Sequence, residues 1–290
     1  MIERRGSVPA DPLKIALYSQ STFDKPNPNQ QEMEAMLAAA SDIGSSDYGT
    51  IILGQWHVHR DGSIYYNDTP LADVKHTLQV IPEALKRDGN VKKVLLTFGP
   101  FGSDFEGIKH NLQQFKTTIA NLHANTAIDG LDWDLEQDYD LYGDLLVDLT
   151  RWASGLGMTV TSAPYTYDAF WTKVLKKTNT GGSAGFSWWN LQLYGGASYP
   201  DWVKDLDEIV ANPEAFIVPG YSITQGVPQV ETPSYVESHL RRLHSSYASL
   251  DGGFIWRYED MKPEGYSPTQ YASAIAAGLD GATGGDLGSL

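Results

Sequence analysis

Short apolar runs alternate with longer amphipathic stretches along the chain. The runs are Leu13–Gln20 (LKIALYSQ), Tyr48–Trp56 (YGTIILGQW), Val91–Gly99 (VKKVLLTFG), Ala127–Glu136 (AIDGLDWDLE), Met158–Pro164 (MTVTSAP), Phe186–Tyr194 (FSWWNLQLY), Ala215–Ser222 (AFIVPGYS) and Gly252–Tyr258 (GGFIWRY). Their length and their β-branched and aromatic content predict strands. Between them, apolar residues at helical spacing predict helices over Asn29–Ile43, Thr69–Arg87 (interrupted near Pro82), Phe105–Asn125, Tyr139–Gly157, Tyr167–Thr178, Pro200–Ala211, Pro233–Leu250 and Pro268–Leu279. In the third of these, Ile108, Leu112, Phe115, Ile119 and Leu122 form one continuous stripe. A glycine loop, Thr180–Ser183, precedes the sixth strand. Strands alternating with helices imply parallel βαβ units. Eight such units in a chain of this length have the arithmetic of an α/β protein with the (β/α)8 TIM-barrel fold.

The expected organisation is an irregular lead over residues 1–12, one barrel domain over 13–280, and a flexible Gly-rich tail over 281–290. An open doubly wound sheet is the structural alternative, but no Gly-x-Gly-x-x-Gly follows the first strand to suggest a dinucleotide fold. Only about 30 residues separate the seventh and eighth strands, and one helix fills most of them, so no α+β insertion is expected there.

Composition narrows the chemistry. The 290 residues include no cysteine, which excludes disulfides and thiol catalysis. A net charge of −15 argues against nucleic acid and anionic membrane as partners. No apolar run of about 18 residues suggests a transmembrane helix. The first residues, Met1 to Gly6, lack a following apolar segment, so no signal peptide is read there. Eight Trp and 16 Tyr are many for this length; the default reading places them in the core, and flat aromatic faces also suit sugar rings.

The fourth strand carries the chemistry. Ala127–Glu136 places four acidic residues in eight positions among Leu, Trp and Ile. Strand side chains alternate faces, so Asp132, Asp134 and Glu136 share one face while Leu131, Trp133 and Leu135 share the other. Asp129 has the opposite parity and belongs to the start of the strand beside Gly130. Carboxylates spaced about 7 Å apart along a half-buried strand push their proton affinities apart, as paired acid–base catalysts require. The bland alternatives are a solvated face or a structural Ca²⁺ loop. A Ca²⁺ loop spaces its ligands through Gly and Asn in a turn, not between Leu and Trp. Because the strand ends in a polar loop, Glu136 is expected at the barrel mouth, with Asp134 and then Asp132 below it.

The pattern Asp-Gly-x-Asp-x-Asp-x-Glu at 129–136 closely resembles the signature of glycoside hydrolase family 18, which contains chitinases and endo-β-N-acetylglucosaminidases. The resemblance implies a (β/α)8 barrel that cleaves β-1,4-linked N-acetylglucosamine, in chitin or chitooligosaccharides, by retaining, substrate-assisted catalysis. It implies Glu136 as general acid and base, Asp134 as the group that orients the substrate acetamide, Asp132 as its partner, and Tyr194 as donor to the acetamide oxygen. Gln192, two residues before Tyr194, and Trp256, on the eighth strand, match the family's sugar pocket. Tyr165 and Tyr221 are further candidates for sugar contacts, and Asp129 and Gly130 are structural. Thr97-Phe98-Gly99-Pro100 departs from the family's usual Ser-x-Gly-Gly at Pro100.

No metal and no organic cofactor is implied. The expected partner is an N-acetylglucosamine-containing oligo- or polysaccharide, and the expected state is a monomer. Such a polymer substrate favours secretion. The N-glycan chitobiose core is the competing substrate, and a non-catalytic lectin is the competing class. An ordinary two-carboxylate glycosidase would need a second acid on another strand end, for which Glu259 is the candidate. His57 and His59 lack a third ligand for Zn²⁺ and read as surface or cleft residues. No Gly-x-Ser-x-Gly elbow suggests a serine hydrolase.

Overall fold

The computed structural model describes residues 14–179, 185–224 and 230–280. The expected lead, the Gly-rich tail and the Thr180–Ser183 loop lie outside the described residues. Ten strands form one sheet: β1 (Lys14–Ser19), β2 (Thr50–Val58), β3 (Ile64–Tyr66), β4 (Thr69–Pro70), β5 (Lys93–Phe98), β6 (Gly130–Trp133), β7 (Thr159–Ser162), β8 (Trp188–Gln192), β9 (Ile217–Ser222) and β10 (Gly252–Trp256). Eight of them pair in parallel in the order β1-β2-β5-β6-β7-β8-β9-β10, and β10 pairs again with β1, which closes a (β/α)8 barrel. The open sheet is thereby excluded. Between β9 and β10 the described residues hold the helix Pro233–Ser246 and no strand.

Side-chain parity divides the barrel into two cores. Ala16, Tyr18, Ile52, Leu95, Trp188, Val218 and Phe254 point inward and fill the lumen. Their neighbours, such as Leu17, Leu53, Leu96, Leu131, Leu191 and Ile255, point outward and pack under the helices. This is the layered interior of a closed parallel barrel, not a pore. Gly220 belongs to the inward set, and the Phe254 ring occupies the space a Cβ would take there, 2.0 Å from its nearest atom. Trp133 on the outer face packs against Phe98 and Phe105, and its indole N–H donates to Thr150.

Several predicted boundaries shift. The loop after the second strand forms a small antiparallel hairpin, β3–β4, and the following helix begins only at Lys75. That helix, Lys75–Lys86, runs through Pro82 without a break. The single helix expected over 105–125 is two, Gly102–His110 and Leu112–Asn125. Asn111 leaves helical geometry between them and donates its side-chain amide to the Gly107 and Arg60 carbonyls. Regular pairing of the fourth barrel strand ends at Trp133, so Glu136 stands three residues beyond the strand instead of closing it. The sixth ends at Gln192, and Tyr194 sits in a 3-10 turn, Leu193–Gly195.

Candidate active site

The acidic face points into the barrel. Asp132 is fully buried in register with Thr97 on β5 and Thr161 on β7. Its Oδ1 accepts from the Thr161 hydroxyl (2.5 Å) and the Asn190 amide (3.3 Å), and its Oδ2 accepts from the Tyr18 hydroxyl (3.0 Å). Burial raises its proton affinity, while these donors pull the other way. One layer above, Asp134 takes an amide N–H on each oxygen: Gln192 Nε2 on Oδ1 (3.2 Å) and Gln55 Nε2 on Oδ2 (3.1 Å). Burial first, then the charges of Glu136 and Asp132, push Asp134 well above the usual carboxylate range.

Glu136 is half-buried at the mouth. Its Oε1 accepts from the same Gln192 amide (3.2 Å), whose orientation the Ala163 carbonyl fixes at 2.7 Å. Burial raises Glu136 as well. A hydrogen bond joins Asp134 to Glu136, so the two carboxyls titrate as one unit that retains a proton beyond the usual carboxylate range. Such an arrangement can hold a neutral acid next to an ionised base.

These groups line a cleft of about 230 Å³ with Tyr18, Gln55, Pro100, Tyr194 and Trp256. Its volume suits a single sugar-sized group. Larger concavities lie elsewhere on the surface, but none contains this cluster of acids. The Trp256 ring stands 5.5 Å from that of Tyr18 and forms a flat, half-buried wall. The Tyr194 phenol is pushed up by burial and then by Asp134 and Glu136, so it stays a neutral O–H donor. Tyr165 is half-buried at the rim, packed against Gly195, and its proton affinity rises through burial and then the Glu136 charge.

The floor depends on two close approaches. Gly99 has φ 120°, and a Cβ there would lie 2.2 Å from the Asp134 carbonyl oxygen. Only glycine accepts both conditions. Pro100 follows through a cis bond and lines the cleft in place of a second glycine. Gly130 lies against β7, where a Cβ would stand 1.8 Å from the Thr159 carbonyl oxygen. Asp129 lies away from the acids, with its carboxylate on Lys86 (2.5 Å) and the Val94 amide (2.7 Å).

Four candidates are not in the cleft. Tyr221 faces outward from β9 and is buried under the helix Pro233–Ser246, where its hydroxyl meets His239 Nδ1 at 3.0 Å. The inward residues of β9 are Val218, Gly220 and Ser222, so Tyr221 falls on the opposite parity. Glu259 does not face Glu136. Its Oε1 accepts from the Ser19 hydroxyl, the Ser21 and Thr22 amides and the Thr22 hydroxyl, which binds it to the loop after β1. The two histidines diverge: His57 Nδ1 meets the buried Asp104 at 3.1 Å, while His59 stacks on Tyr65 at 4.2 Å.

Tyr18, Asn190 and Gln55 escaped prediction from sequence. Asn190 shares its strand face with Gln192 and Tyr18 lies mid-strand on β1, so parity alone could have nominated both. Gln55 had no such signal.

No protein-family model and no curated protein matches the chain. Solved structures do. A fungal endo-β-N-acetylglucosaminidase from glycosyl hydrolase family 18 aligns with a TM-score of 0.66 at 23% identity, covering 94% of this chain and 100% of that one. Active domain 2 of a chitinase from Pyrococcus furiosus gives 0.64 at 12% identity, covering 94% and 96%. A Group IV chitinase from Ostrinia furnacalis gives 0.63 at 12% identity, covering 93% and 100%. The (β/α)8 barrel of this chain is therefore the fold of these solved chitinases and of the endo-β-N-acetylglucosaminidase.

Proposed function

We propose that this chain is a family 18 glycoside hydrolase that cleaves β-1,4-linked N-acetylglucosamine with the help of the substrate's own acetamide. The observation that carries the reading is the pair of carboxyls, Asp134 and Glu136, that share the Gln192 amide, with no opposing carboxylate among the described residues that line the cleft. A two-carboxylate retaining enzyme needs a nucleophile about 5 Å from its acid, on the other side of the scissile bond. Among the described residues, the remaining cleft walls are amides, tyrosines, a tryptophan, Pro100 and Ala163. A nucleophile supplied by the substrate fits that set.

In this mechanism the acetamide oxygen attacks the anomeric carbon while Glu136 gives its proton to the departing glycosidic oxygen. The ring that forms is an oxazolinium cation. Asp134 accepts from the acetamide N–H and balances the positive charge. Tyr194 donates to the acetamide oxygen, and Trp256 covers the apolar side. Water then enters as Glu136 takes a proton back. The resting pair poses one question: burial favours the proton on Asp134, yet the reaction needs it on Glu136. The acetamide N–H answers it. A donor arriving at Asp134 favours its ionised form, and the shared proton moves to Glu136 as the sugar seats. Asp132, held by Tyr18, Asn190 and Thr161, fixes the base of this column.

The chitobiose core of N-glycans is the second substrate reading. Its support is the fungal structure named for that activity, which aligns at 23% identity. The test incubates the protein and its Glu136→Gln variant with chitooligosaccharides and with a high-mannose glycopeptide, with products read by mass. Cleavage of the oligosaccharide by the unmodified protein, lost by several orders of magnitude in the variant, is the expected result. Cleavage of the glycopeptide alone moves the substrate to N-glycans. Binding of the oligosaccharide without cleavage by either protein makes the barrel a lectin and refutes the catalytic reading.

A further inference from the structure

Gln55 is built into the cleft by a local break in β2. Against β5, Leu53 pairs with Leu96 but Trp56 pairs with Phe98. Three steps on one strand match two on the other, so β2 carries one extra residue, a bulge. Past the bulge, Trp56 turns outward into the shell under the helices and stacks on Tyr66 at 4.6 Å. Gln55 turns inward. The neighbouring turn then pins its backbone from both sides. The Asn67 side-chain oxygen accepts from the Gln55 N–H at 3.2 Å, and the Asn67 N–H donates to the Gln55 carbonyl at 2.8 Å. Asn67 itself holds a left-handed φ of 49°, which asparagine tolerates better than most residues. Gly54 completes the fit, since a Cβ there would strike the Thr97 methyl. Bulges of this kind re-aim a side chain at a functional site.

The aimed side chain is only half used. Gln55 is 6% exposed. Its Nε2 donates to Asp134 Oδ2, while its Oε1 is buried against the cleft with no protein partner among the described residues. A buried amide oxygen without a donor is costly, and native folds rarely keep one that nothing satisfies. With its N–H side on Asp134 Oδ2, the amide leaves its oxygen facing the cleft. We propose that Gln55 is a positioning and substrate-binding residue: its N–H fixes Asp134, and its carbonyl accepts a hydroxyl of the sugar seated in the cleft. The inference rests on the reading above for the choice of hydroxyl. There the acetamide N–H belongs to Asp134, and the other donors on that sugar are hydroxyls.

Two variants separate the halves. Gln55→Met keeps length and volume and removes both hydrogen bonds. Gln55→Glu keeps an acceptor at the same reach, loses the N–H and places a charge beside Asp134. On a chitooligosaccharide or the glycopeptide, whichever is cut, Gln55→Met raises KM about tenfold and lowers kcat. Gln55→Glu leaves KM near its original value and moves the acid limb of the kcat profile to higher pH, because a neighbouring carboxylate makes Asp134 and Glu136 hold protons more tightly. A merely structural glutamine would change the melting temperature and leave the pH profile in place. Calorimetric titration of the oligosaccharide into Glu136→Gln, with and without Gln55→Met, reads binding without turnover, and an affinity loss of about tenfold is expected. Unchanged KM, pH profile and affinity in both variants would overturn the inference. If the unmodified protein cuts nothing yet the affinity still depends on Gln55, the catalytic reading fails and the binding role of Gln55 stands.

Discussion

Glu231 gives a test of the electrostatics that needs no substrate. It follows β9, half-buried, with Oε2 accepting from the Ser222 N–H at 2.6 Å and no cation paired to it among the described residues. Burial pushes its carboxyl from 4.5 up to about 7, and the Ser222 bond offsets only part of that. The sign is fixed by linkage. The folded state binds this proton more tightly than the unfolded chain, so the associated stability is full below pH 4.5 and is lost as pH rises through about 7. A gap of about 2.5 between the two values corresponds to about 3 kcal/mol. The side chain meets water on one side, so screening lowers the usable figure to about 2 kcal/mol. Glu231→Gln stays neutral at every pH, and its amide oxygen can still accept from Ser222. The variant should therefore be more stable than the natural chain by about 2 kcal/mol at pH 8, with little difference at pH 4. Urea unfolding at both pH values, followed by tryptophan fluorescence, measures this directly. A stability gain that is equal at the two pH values would refute the reasoning, and so would a loss at pH 8.

Other outcomes follow from the same geometry. Tyr18→Phe removes the donor at 3.0 Å from Asp132 Oδ2 and leaves a buried carboxylate less satisfied, so Asp132 should hold its proton to higher pH. The acid limb of the activity profile should rise with it; an unmoved profile would detach Asp132 from the reaction. Gly130→Ala sets a Cβ 1.8 Å from the Thr159 carbonyl oxygen and must part β6 from β7, at a cost of about 3 kcal/mol or more, visible as a lower melting temperature. Lys86→Met leaves Asp129 with only the Val94 amide among these contacts, and should cost about 1 kcal/mol in urea unfolding without changing kcat.

Sequence made the acids legible for a physical reason. Period-two alternation is a local property, and three carboxylates on one face of an otherwise apolar strand have few uses besides a site. Closure of the barrel could likewise be read from the count of strands and helices. What escaped depended on contacts distant in sequence. β3 and β4 have three and two residues, too short to show a period, and they exist because Trp56, His57 and Val58 offer an edge for β3 to pair with. The break at Asn111 leaves the apolar stripe of 105–125 intact in sequence, because the two helices bury Ile108, Phe115 and Ile119 on the same side. Tyr221 was misplaced because every residue of β9 is buried, which erases the contrast between inner and outer faces.

Gln55 shows where parity fails as a guide to a barrel site. Ile52 points into the lumen, so counting by two along β2 assigns Gly54 and Trp56 to the interior and Gln55 to the helices. That count also looks chemically sensible, since it buries the tryptophan in the lumen. The structure reverses it after one inserted residue: Trp56 packs outside against Tyr66 and Phe98, and the amide reaches Asp134. At that point Asn67 holds the Gln55 backbone, and Thr97 takes the space a Gly54 side chain would occupy. Each of those partners is remote in sequence from the acidic motif. The residues that tune a carboxylate can thus lie where the strand pattern is broken, because a regular strand on β2 would have turned Gln55 away from Asp134.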